Sequence, residues 1–325
     1  MIERQHWHPV ASADSVAAQP VAARALAEDL VLWRDPSGAV HAWPDRCPHR
    51  GAKLSLGRVE GGHLECPYHG WQFAPAGQCV HVPALPGFTP PATHRVQAFE
   101  AQEAHGLVWV RMAPGDVALP AFPAEGDTRL RKLNCGPYVV ETSAPRLVEN
   151  FLDMSHFAFV HEGWLGARGH SAIADYRVEE TPAGLRATQC KAWQPQSNLH
   201  STAPAQVEYT YEVAGPYTAV LTKIPEAGSV AVQDWRESIA LFIAPAEPGR
   251  SVVWFRLAAA HFEPPAHGLR AFPDTVVRQD QPVLESQSPK CLPLDLRAEL
   301  HTAADRASSA YRRHLSRLGI TFGAC

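Results

Sequence analysis

Two short segments of the chain carry cysteine and histidine in the same order. Cys47 and His49 lie in "CPHRGA", and Cys66 and His69 lie in "CPYHGW", with sixteen residues between the two pairs. Each segment therefore offers one thiolate and one imidazole. Structural zinc sites usually pair cysteine with cysteine and histidine with histidine. A two-iron cluster with two thiolates on one iron and two imidazoles on the other fits the mixed pairs better. The pattern predicts such a cluster, with zinc as the alternative.

A second group of metal-binding residue types follows in "NFLDMSHFAFVH", which contains Asn150, Asp153, His156 and His161. The two histidines are five residues apart, so on a regular helix they would point about 140° away from each other. Both can bind one metal only if the helix carries a π-type bulge or ends between them. We therefore predict irregular backbone at 157–160.

Two histidines leave such a centre one protein ligand short. Iron(II) enzymes that activate oxygen use two histidines and one carboxylate on one face and leave the other positions open. Asp280 in "VVRQDQPVLESQ" is the predicted carboxylate, and Asp274 and Glu285 are its rivals. Pro282 lies inside the same predicted helix and removes a backbone donor, so we expect a kink there.

The elements that must position these residues divide the chain in two. Short β-like runs bounded by the turn signals "PSG", "EGG" and "PAG" predict an all-β domain ending near Met112, before the Pro-rich segment "APGDVALPAFPAEG". A helix around "PRLVENFLDMSHFAFVHEGW" comes next, followed by a β-rich region over about 172–262. Two helices complete the chain, one around Asp274 to Gln287 and one around Arg297 to Leu318, with Gly319 as its stop.

The overall composition excludes several classes of function. The net charge is -4, which gives no basic field for nucleic acid or an anionic membrane. The opening "MIERQHWHPV" lacks the apolar core of a signal peptide, and no apolar run approaches the length of a membrane span. The five cysteines outside the motifs have no framework spacing. We interpret them as reduced thiols of a cytoplasmic protein: Cys79, Cys135, Cys190, Cys291 and Cys325.

The motifs "CPHRGA" and "CPYHGW" resemble those of Rieske non-haem iron oxygenases. Respiratory-chain Rieske proteins carry two further cysteines, at positions occupied here by Ala52 and Tyr68, so the resemblance is to the oxygenase branch. It implies that the Rieske [2Fe–2S] cluster is held by the four loop residues Cys47, His49, Cys66 and His69.

The D-x-x-H-x-x-x-x-H spacing is similar to the mononuclear iron motif of the same family. The resemblance implies iron ligands at His156, His161 and Asp280. It makes Asp153 an electron-transfer bridge that accepts a hydrogen bond from His69 of a neighbouring subunit, which implies a homotrimer. Asn150 either approaches the iron without binding it or packs nearby; the resemblance leaves both open.

The opening "HWHPVA" resembles the vanillate O-demethylase group, and "SHFAFVHEGWLG" and "QSPKCLPLD" resemble the saxitoxin-pathway Rieske hydroxylases, whose alkaloid substrate does not carry over. The implied fold is α+β, with a Rieske domain at 1–118 and a helix-grip-like catalytic domain with an antiparallel sheet at 119–325. The implied activity is that of an oxygenase component, a monooxygenase that hydroxylates or oxidatively demethylates a small aromatic or alkaloid-like compound. A ring-cis-dihydroxylating dioxygenase and a non-catalytic electron carrier are the alternatives.

The implied cofactors are the cluster, mononuclear Fe(II) and O2. The chain has no G-x-G-x-x-G nucleotide fingerprint, so electrons from NAD(P)H would arrive through a separate reductase. We expect the substrate pocket between the sheet at about 190–260 and the iron helices. Its candidate lining residues are Phe157, Trp164, Asn198 and Trp254.

Overall fold

The computed structural model describes residues 1–197, 201, 203–230, 236–260 and 266–325, with only the backbone given for 266–269. The chain forms two compact units, one comprising Glu3–Leu119 and the other Pro120–Cys325 together with Met1–Ile2. Among the described helices, none combines the length and apolar character needed to cross a bilayer.

The first unit is built from small antiparallel sheets, as the turn-bounded β-like runs predict. Strands β1, β10 and β9 form one sheet, β2 to β4 a second, and β5 to β8 a third. The Cys47/His49 loop lies between β4 and β5, and the Cys66/His69 loop connects β6 to β7. The strands are β1 His8–Ser12, β2 Val21–Ala25, β3 Glu28–Arg34, β4 Val40–Pro44, β5 Arg58–Glu60, β6 His63–Glu65, β7 Gln72–Phe73, β8 Cys79–His81, β9 Glu100–Ala104 and β10 Leu107–Arg111.

The second unit is dominated by a seven-stranded antiparallel sheet with the order β11-β17-β16-β15-β14-β13-β12. Its strands β12 to β17 follow each other as a meander, and β11 joins the edge by pairing with β17. The strands are β11 Arg131–Val140, β12 Arg177–Thr181, β13 Gly184–Gln194, β14 Ala205–Gly215, β15 Thr218–Pro225, β16 Glu237–Glu247 and β17 Arg250–Ala259. The α+β class expected from the sequence is confirmed.

Alternation of residue type along the strands explains which face of this sheet is buried. In β14, Val207, Tyr209, Tyr211 and Val213 are buried, and the polar residues between them are more exposed. Successive side chains of a strand point to opposite faces, so this pattern gives one apolar face. The helices α1 Ala144–Leu152, α2 Phe157–Val160, α3 Ala266–Ser286 and α4 Arg306–Leu318 complete the unit.

One continuous core joins the helices to the sheet. It contains Val148 of α1, Leu284 of α3 and Tyr311 of α4 together with the inward residues of the strands. Helix α1 begins at a capping residue, since the Ser143 hydroxyl accepts a hydrogen bond from the Arg146 backbone N–H. Helix α4 ends at Gly319, whose φ of 72° is the left-handed conformation expected of a helix stop.

Two helix boundaries and one strand differ from the sequence-based expectation. Helix α4 begins at Arg306 rather than near Arg297, and Leu300, which lies within the expected range, is 99% exposed. Helix α3 begins earlier than Asp274 and contains both Pro273 and Pro282. Strand β11 was missed altogether, because a Gly-Pro pair interrupts its pattern and its register shifts between Cys135 and Tyr138.

Candidate functional site

The two Cys/His loops have the same backbone construction. The Cys47 N–H donates to the Ala52 carbonyl at 2.8 Å, and the Cys47 carbonyl accepts from Gly51 at 2.9 Å. The Cys66 N–H donates to the Trp71 carbonyl at 2.8 Å, and the Cys66 carbonyl accepts from Gly70 at 3.0 Å. Each loop closes through a glycine with positive φ, which explains why both motifs need glycine four residues after cysteine.

The four candidate cluster ligands meet at the tips of these loops. The rings of His49 and His69 lie 4.6 Å apart, and Cys47 and Cys66 are both buried. Burial, and the proximity of Cys66, raise the pKa of the Cys47 thiol. The His49 Nδ1 atom is buried and has no hydrogen-bond partner in the described chain. Two adjacent sulfurs beside an unpartnered ring nitrogen fit a Rieske cluster, because each of these atoms can serve as a ligand.

The second centre brings together the three residues that the sequence analysis assigned to iron. Ligand atoms of His156, His161 and Asp280 all lie within 4.8 Å of one another. Asp280 Oδ1 is 3.2 Å from His161 Nε2 and 3.6 Å from His156 Nε2. Neutral imidazoles and one carboxylate on a single face are a donor set that suits Fe(II), so these residues fit the mononuclear iron of the family.

A break in the helix allows the two histidines to converge. Helix α1 ends at Leu152, and α2 is a single turn that His156 precedes and His161 follows. The expectation of one helix through the whole segment is therefore wrong. The irregular backbone lies on either side of 157–160 rather than within it, because the chain leaves the helical conformation at Asp153 and again at His161.

Each histidine of this trio also has a partner for its other ring nitrogen. Asp153 Oδ2 lies 2.9 Å from His156 Nδ1, and Gln279 Oε1 lies 2.8 Å from His161 Nδ1. These contacts fix ring orientation and leave both Nε2 atoms turned toward Asp280. Burial raises the pKa of Asp153, but hydrogen bonds from His156 and Ser155 outweigh it and the net pKa is lowered. Asn150 Nδ2 donates to Asp280 Oδ1 at 3.4 Å.

A buried ion network holds α1, which carries Asn150, against α4. Arg312 of α4 binds both oxygens of Glu149 at 2.6 and 2.9 Å, and Arg146 of α1 binds Glu299 at 2.6 Å. The guanidinium groups of Arg146 and Arg312 lower the pKa of Glu299 to about 2, so it stays ionised at neutral pH. The network therefore fixes the position of α1 relative to α4, and with it the start of the segment that supplies the histidines.

An apolar cavity opens onto the iron trio. It encloses about 830 Å³ of empty space, part of it open to solvent, and His156, His161 and Asp280 form part of its wall. The sheet at about 190–260 contributes to the wall, as the sequence analysis expected. Aromatic side chains make up much of the remainder: Tyr138, Phe151, Phe157, Tyr209, Phe255 and Phe272.

Of the four residues predicted to line the pocket, one is found in its wall. Phe157 lines the cavity, whereas Trp164 and Trp254 do not, and Asn198 lies outside the described residues. Two residues of the site had no signal in the sequence: Gln279, the partner of His161, and Lys223 in the cavity wall. Lys223 stands directly across from Glu237 on the next strand, and no local motif distinguishes such a pair from a surface ion pair.

Comparison with protein families matches both units. Residues 6–100 match the Rieske [2Fe-2S] domain, and residues 140–319 match the vanillate O-demethylase oxygenase C-terminal domain. The methylxanthine N1-demethylase NdmA of Pseudomonas putida is 32% identical over 325 residues, covering 97% of this chain and 89% of that protein. Its structure with caffeine superposes with a TM-score of 0.84 at 30% identity, covering 96% of this chain and 90% of that one.

Two further relatives match over shorter lengths. The oxygenase component of dicamba O-demethylase from Stenotrophomonas maltophilia is 38% identical over 164 residues, 49% of this chain and 47% of that protein. The oxidoreductase NdmD of P. putida is 39% identical over 119 residues, 35% of this chain and 20% of that protein.

Proposed function

This chain belongs to the Rieske non-haem iron oxygenases, and from that premise we propose that it removes N-methyl groups from a small, flat heteroaromatic compound. It is an oxidoreductase, the oxygenase component of a Rieske monooxygenase system that oxidatively demethylates or hydroxylates small organic molecules. Its cofactors are a Rieske [2Fe–2S] cluster and mononuclear iron, and O2 is its co-substrate. A separate reductase supplies the electrons from NAD(P)H.

The single observation that carries the choice of reaction is the position of the iron trio in the wall of the aromatic cavity. A flat ring can stack against Phe157, Phe255 or Tyr209 there and present a ring substituent to the trio. A relative that matches over 97% of this chain is named as a methylxanthine N1-demethylase. The shorter match to an O-demethylase of dicamba supports removal of a methyl group in general.

We assign each chain residue a part in this reaction. Cys47, His49, Cys66 and His69 would hold the cluster, and His156, His161 and Asp280 would hold the iron. The iron, when bound and reduced, supplies the activation of O2. Asp153 and Gln279 hold the imidazoles in the orientation that leaves Nε2 free for the metal. The apolar wall excludes water from the methyl group.

We further propose the assembly and the domain limits. Residues 1–118 form the cluster domain and residues 119–325 the catalytic domain. Asp153, whose side chain is 26% exposed beside His156, accepts a hydrogen bond from His69 of a neighbouring subunit and passes electrons to the iron. A ring of three chains satisfies this head-to-tail contact. All seven cysteines are free thiols, which supports a cytoplasmic protein.

The test is coupled turnover with a panel of methylated compounds. The purified oxygenase, a generic Rieske reductase and NADH are combined with N-methyl heteroaromatics and with O-methyl benzoates, and formaldehyde is measured against O2 consumed. We expect formaldehyde from the N-methyl compounds in proportion to O2. A panel in which only the O-methyl compounds yield formaldehyde would contradict the proposed substrate class.

Three measurements separate the rival functions and test the assembly. A dihydroxylating dioxygenase would retain both atoms of labelled O2 in a diol, and an electron carrier would contain about two irons per chain instead of about three. Light scattering should give a mass three times the 35.5 kDa of one chain. A monomer that turns over at full rate would contradict the electron bridge.

A further inference from the structure

The wall of the aromatic cavity contains one buried lysine whose charge is already neutralised. Lys223 and Glu237 face each other across the antiparallel pair of β15 and β16. The Lys223 Nζ atom lies 2.6 Å from Glu237 Oε2, and the two side chains are only 3% and 10% exposed. Nζ also donates to the Ser197 carbonyl at 2.8 Å and lies 5.4 Å from the centre of the Phe272 ring.

The rest of the described wall provides no other fixed positive charge. Apart from the two histidines of the trio, its charged members are Lys223 and Asp280. Burial raises the pKa values of Tyr209 and Tyr211, so these hydroxyls stay neutral. Tyr138 donates a hydrogen bond to Asp274, which adds a negative charge on that side, and Arg270 nearby is exposed.

This charge arrangement opposes an anionic substrate. A carboxylate entering the cavity would lose its water and would meet a lysine that already has a buried carboxylate beside it, so it would gain little attraction and experience repulsion from Glu237. Sites built for carboxylates usually offer an unpaired arginine or lysine instead. An uncharged carbonyl oxygen costs far less to desolvate and can accept the remaining N–H of Lys223.

We propose that the Lys223–Glu237 pair makes this pocket selective for uncharged flat aromatic compounds that carry a carbonyl-type acceptor, and that it discriminates against aromatic carboxylates. This selectivity rests on the proposed function, because it names the substrate class of the same cavity. The pair then acts as a specificity-determining element in the cavity wall, rather than as part of the iron centre.

Equilibrium binding of two isosteric probes tests the proposal without turnover. Naphthalene-2-carboxamide and naphthalene-2-carboxylate have nearly the same shape and differ in charge, and their dissociation constants are measured by calorimetry on the iron-loaded protein. We expect the wild type to bind the amide at least about tenfold more tightly than the acid. In Glu237→Gln the lysine loses its counter-charge, and we expect affinity for the acid to rise at least about tenfold.

Two further variants keep the test decisive. Glu208→Gln makes the same change at an exposed position of β14, on the outer face of the sheet, and should leave both affinities unchanged. The double variant Lys223→Met with Glu237→Gln replaces the ion pair by uncharged side chains, which buried sites often tolerate, and should show no gain for the acid. If Glu237→Gln fails to fold, Lys223→Met with Glu237→Gln must still bind the amide more weakly than the wild type does, because it lacks the Lys223 N–H donor.

Three results would overturn the inference: tighter binding of the acid to the wild type, binding of neither probe, or no gain for the acid in folded Glu237→Gln. These results are independent of the demethylation reaction. A protein that prefers the amide but releases no formaldehyde from any N-methyl compound would contradict the proposed function and leave the selectivity of the cavity standing.

Discussion

The cluster loops and the iron trio use the chain in different ways. All four candidate cluster ligands lie between Cys47 and Trp71, in two loops with the same hydrogen bonds and the same positive-φ glycine. The iron trio joins a broken helix to α3, and the contact between His161 and Gln279 spans 118 residues. A locally built centre therefore depends on backbone geometry, whereas a centre built from distant segments depends on tertiary packing.

The largest expected effect comes from removing the ligand that links the two distant segments. Asp280→Ala leaves two histidines without their carboxylate, so we expect iron to fall from about three to about two atoms per chain and demethylation to be abolished. Iron analysis and the electron paramagnetic spectrum of the reduced cluster measure both centres. The cluster signal should persist, because its loops do not include α3.

Glu285→Gln is the matched control for this prediction. Glu285 lies on the same helix and accepts hydrogen bonds from the Glu141 backbone and from Gln281, away from the trio. It should keep all of the iron. Loss of the cluster signal in Asp280→Ala, or full activity without the carboxylate, would contradict the separation of the two centres.

A smaller effect is expected from the residue that orients His161. Gln279→Leu removes the acceptor for His161 Nδ1 at 2.8 Å, and loss of such a partner typically weakens metal binding about 10- to 100-fold. Iron dissociation is followed with a chelator, alongside Gln279→Glu, which retains an acceptor oxygen and should recover most of the affinity. Equal iron affinity in wild type and Gln279→Leu would show that the contact does not position the ligand.

The smallest effects are expected from substituting the loop glycines, because such a change strains the backbone and removes no candidate ligand. Gly70→Ala places a Cβ 3.0 Å from Pro83 Cγ at a φ of 69°, and Gly51→Ala places one 3.4 Å from the flexible Arg46 side chain at a φ of 73°. Left-handed backbone costs a non-glycine residue about 1 to 2 kcal/mol. Gly70→Ala should therefore lower the temperature at which the visible absorbance of the cluster is lost by more than Gly51→Ala does.

Gly169→Ala serves as the control, because a Cβ there meets nothing within 4 Å and φ is not positive. It should leave the transition unchanged. If Gly51→Ala proves as harmful as or more harmful than Gly70→Ala, the loops differ in a way that their shared hydrogen bonds do not reveal.

The same contrast explains how much the sequence could predict. The two Cys/His loops could be predicted because each motif contains its own turn. A carboxylate beside His156 and His161 could be predicted from the geometry that Fe(II) requires, but residue type alone left Asp274 and Glu285 as rivals of Asp280. The break at Asp153 was only partly predicted. Spacing showed that a regular helix cannot present His156 and His161 together, but not that α1 would end four residues before the first of them.

What could not be predicted depends on pairings between distant strands. Strand β11 pairs with β17, more than a hundred residues later, and its Gly136-Pro137 sequence conceals the alternation. Lys223 and Glu237 become partners only because β15 and β16 pair in one particular register, since a shift by a single residue would turn one of the two side chains to the other face. Neither position has a local signal that marks it as part of a pocket.

The single-turn helix α2 has a consequence for local order. A helix of four residues is not stable by itself in water, because its nucleation is unfavourable and its few hydrogen bonds do not offset that cost. Its persistence must come from its ends, where His156 and His161 are held by Asp153 and Gln279. A metal bound by both histidines would therefore stabilise the backbone between them. After the metal is removed by a chelator, the amide hydrogens of α2 should exchange with deuterium sooner than those of α1.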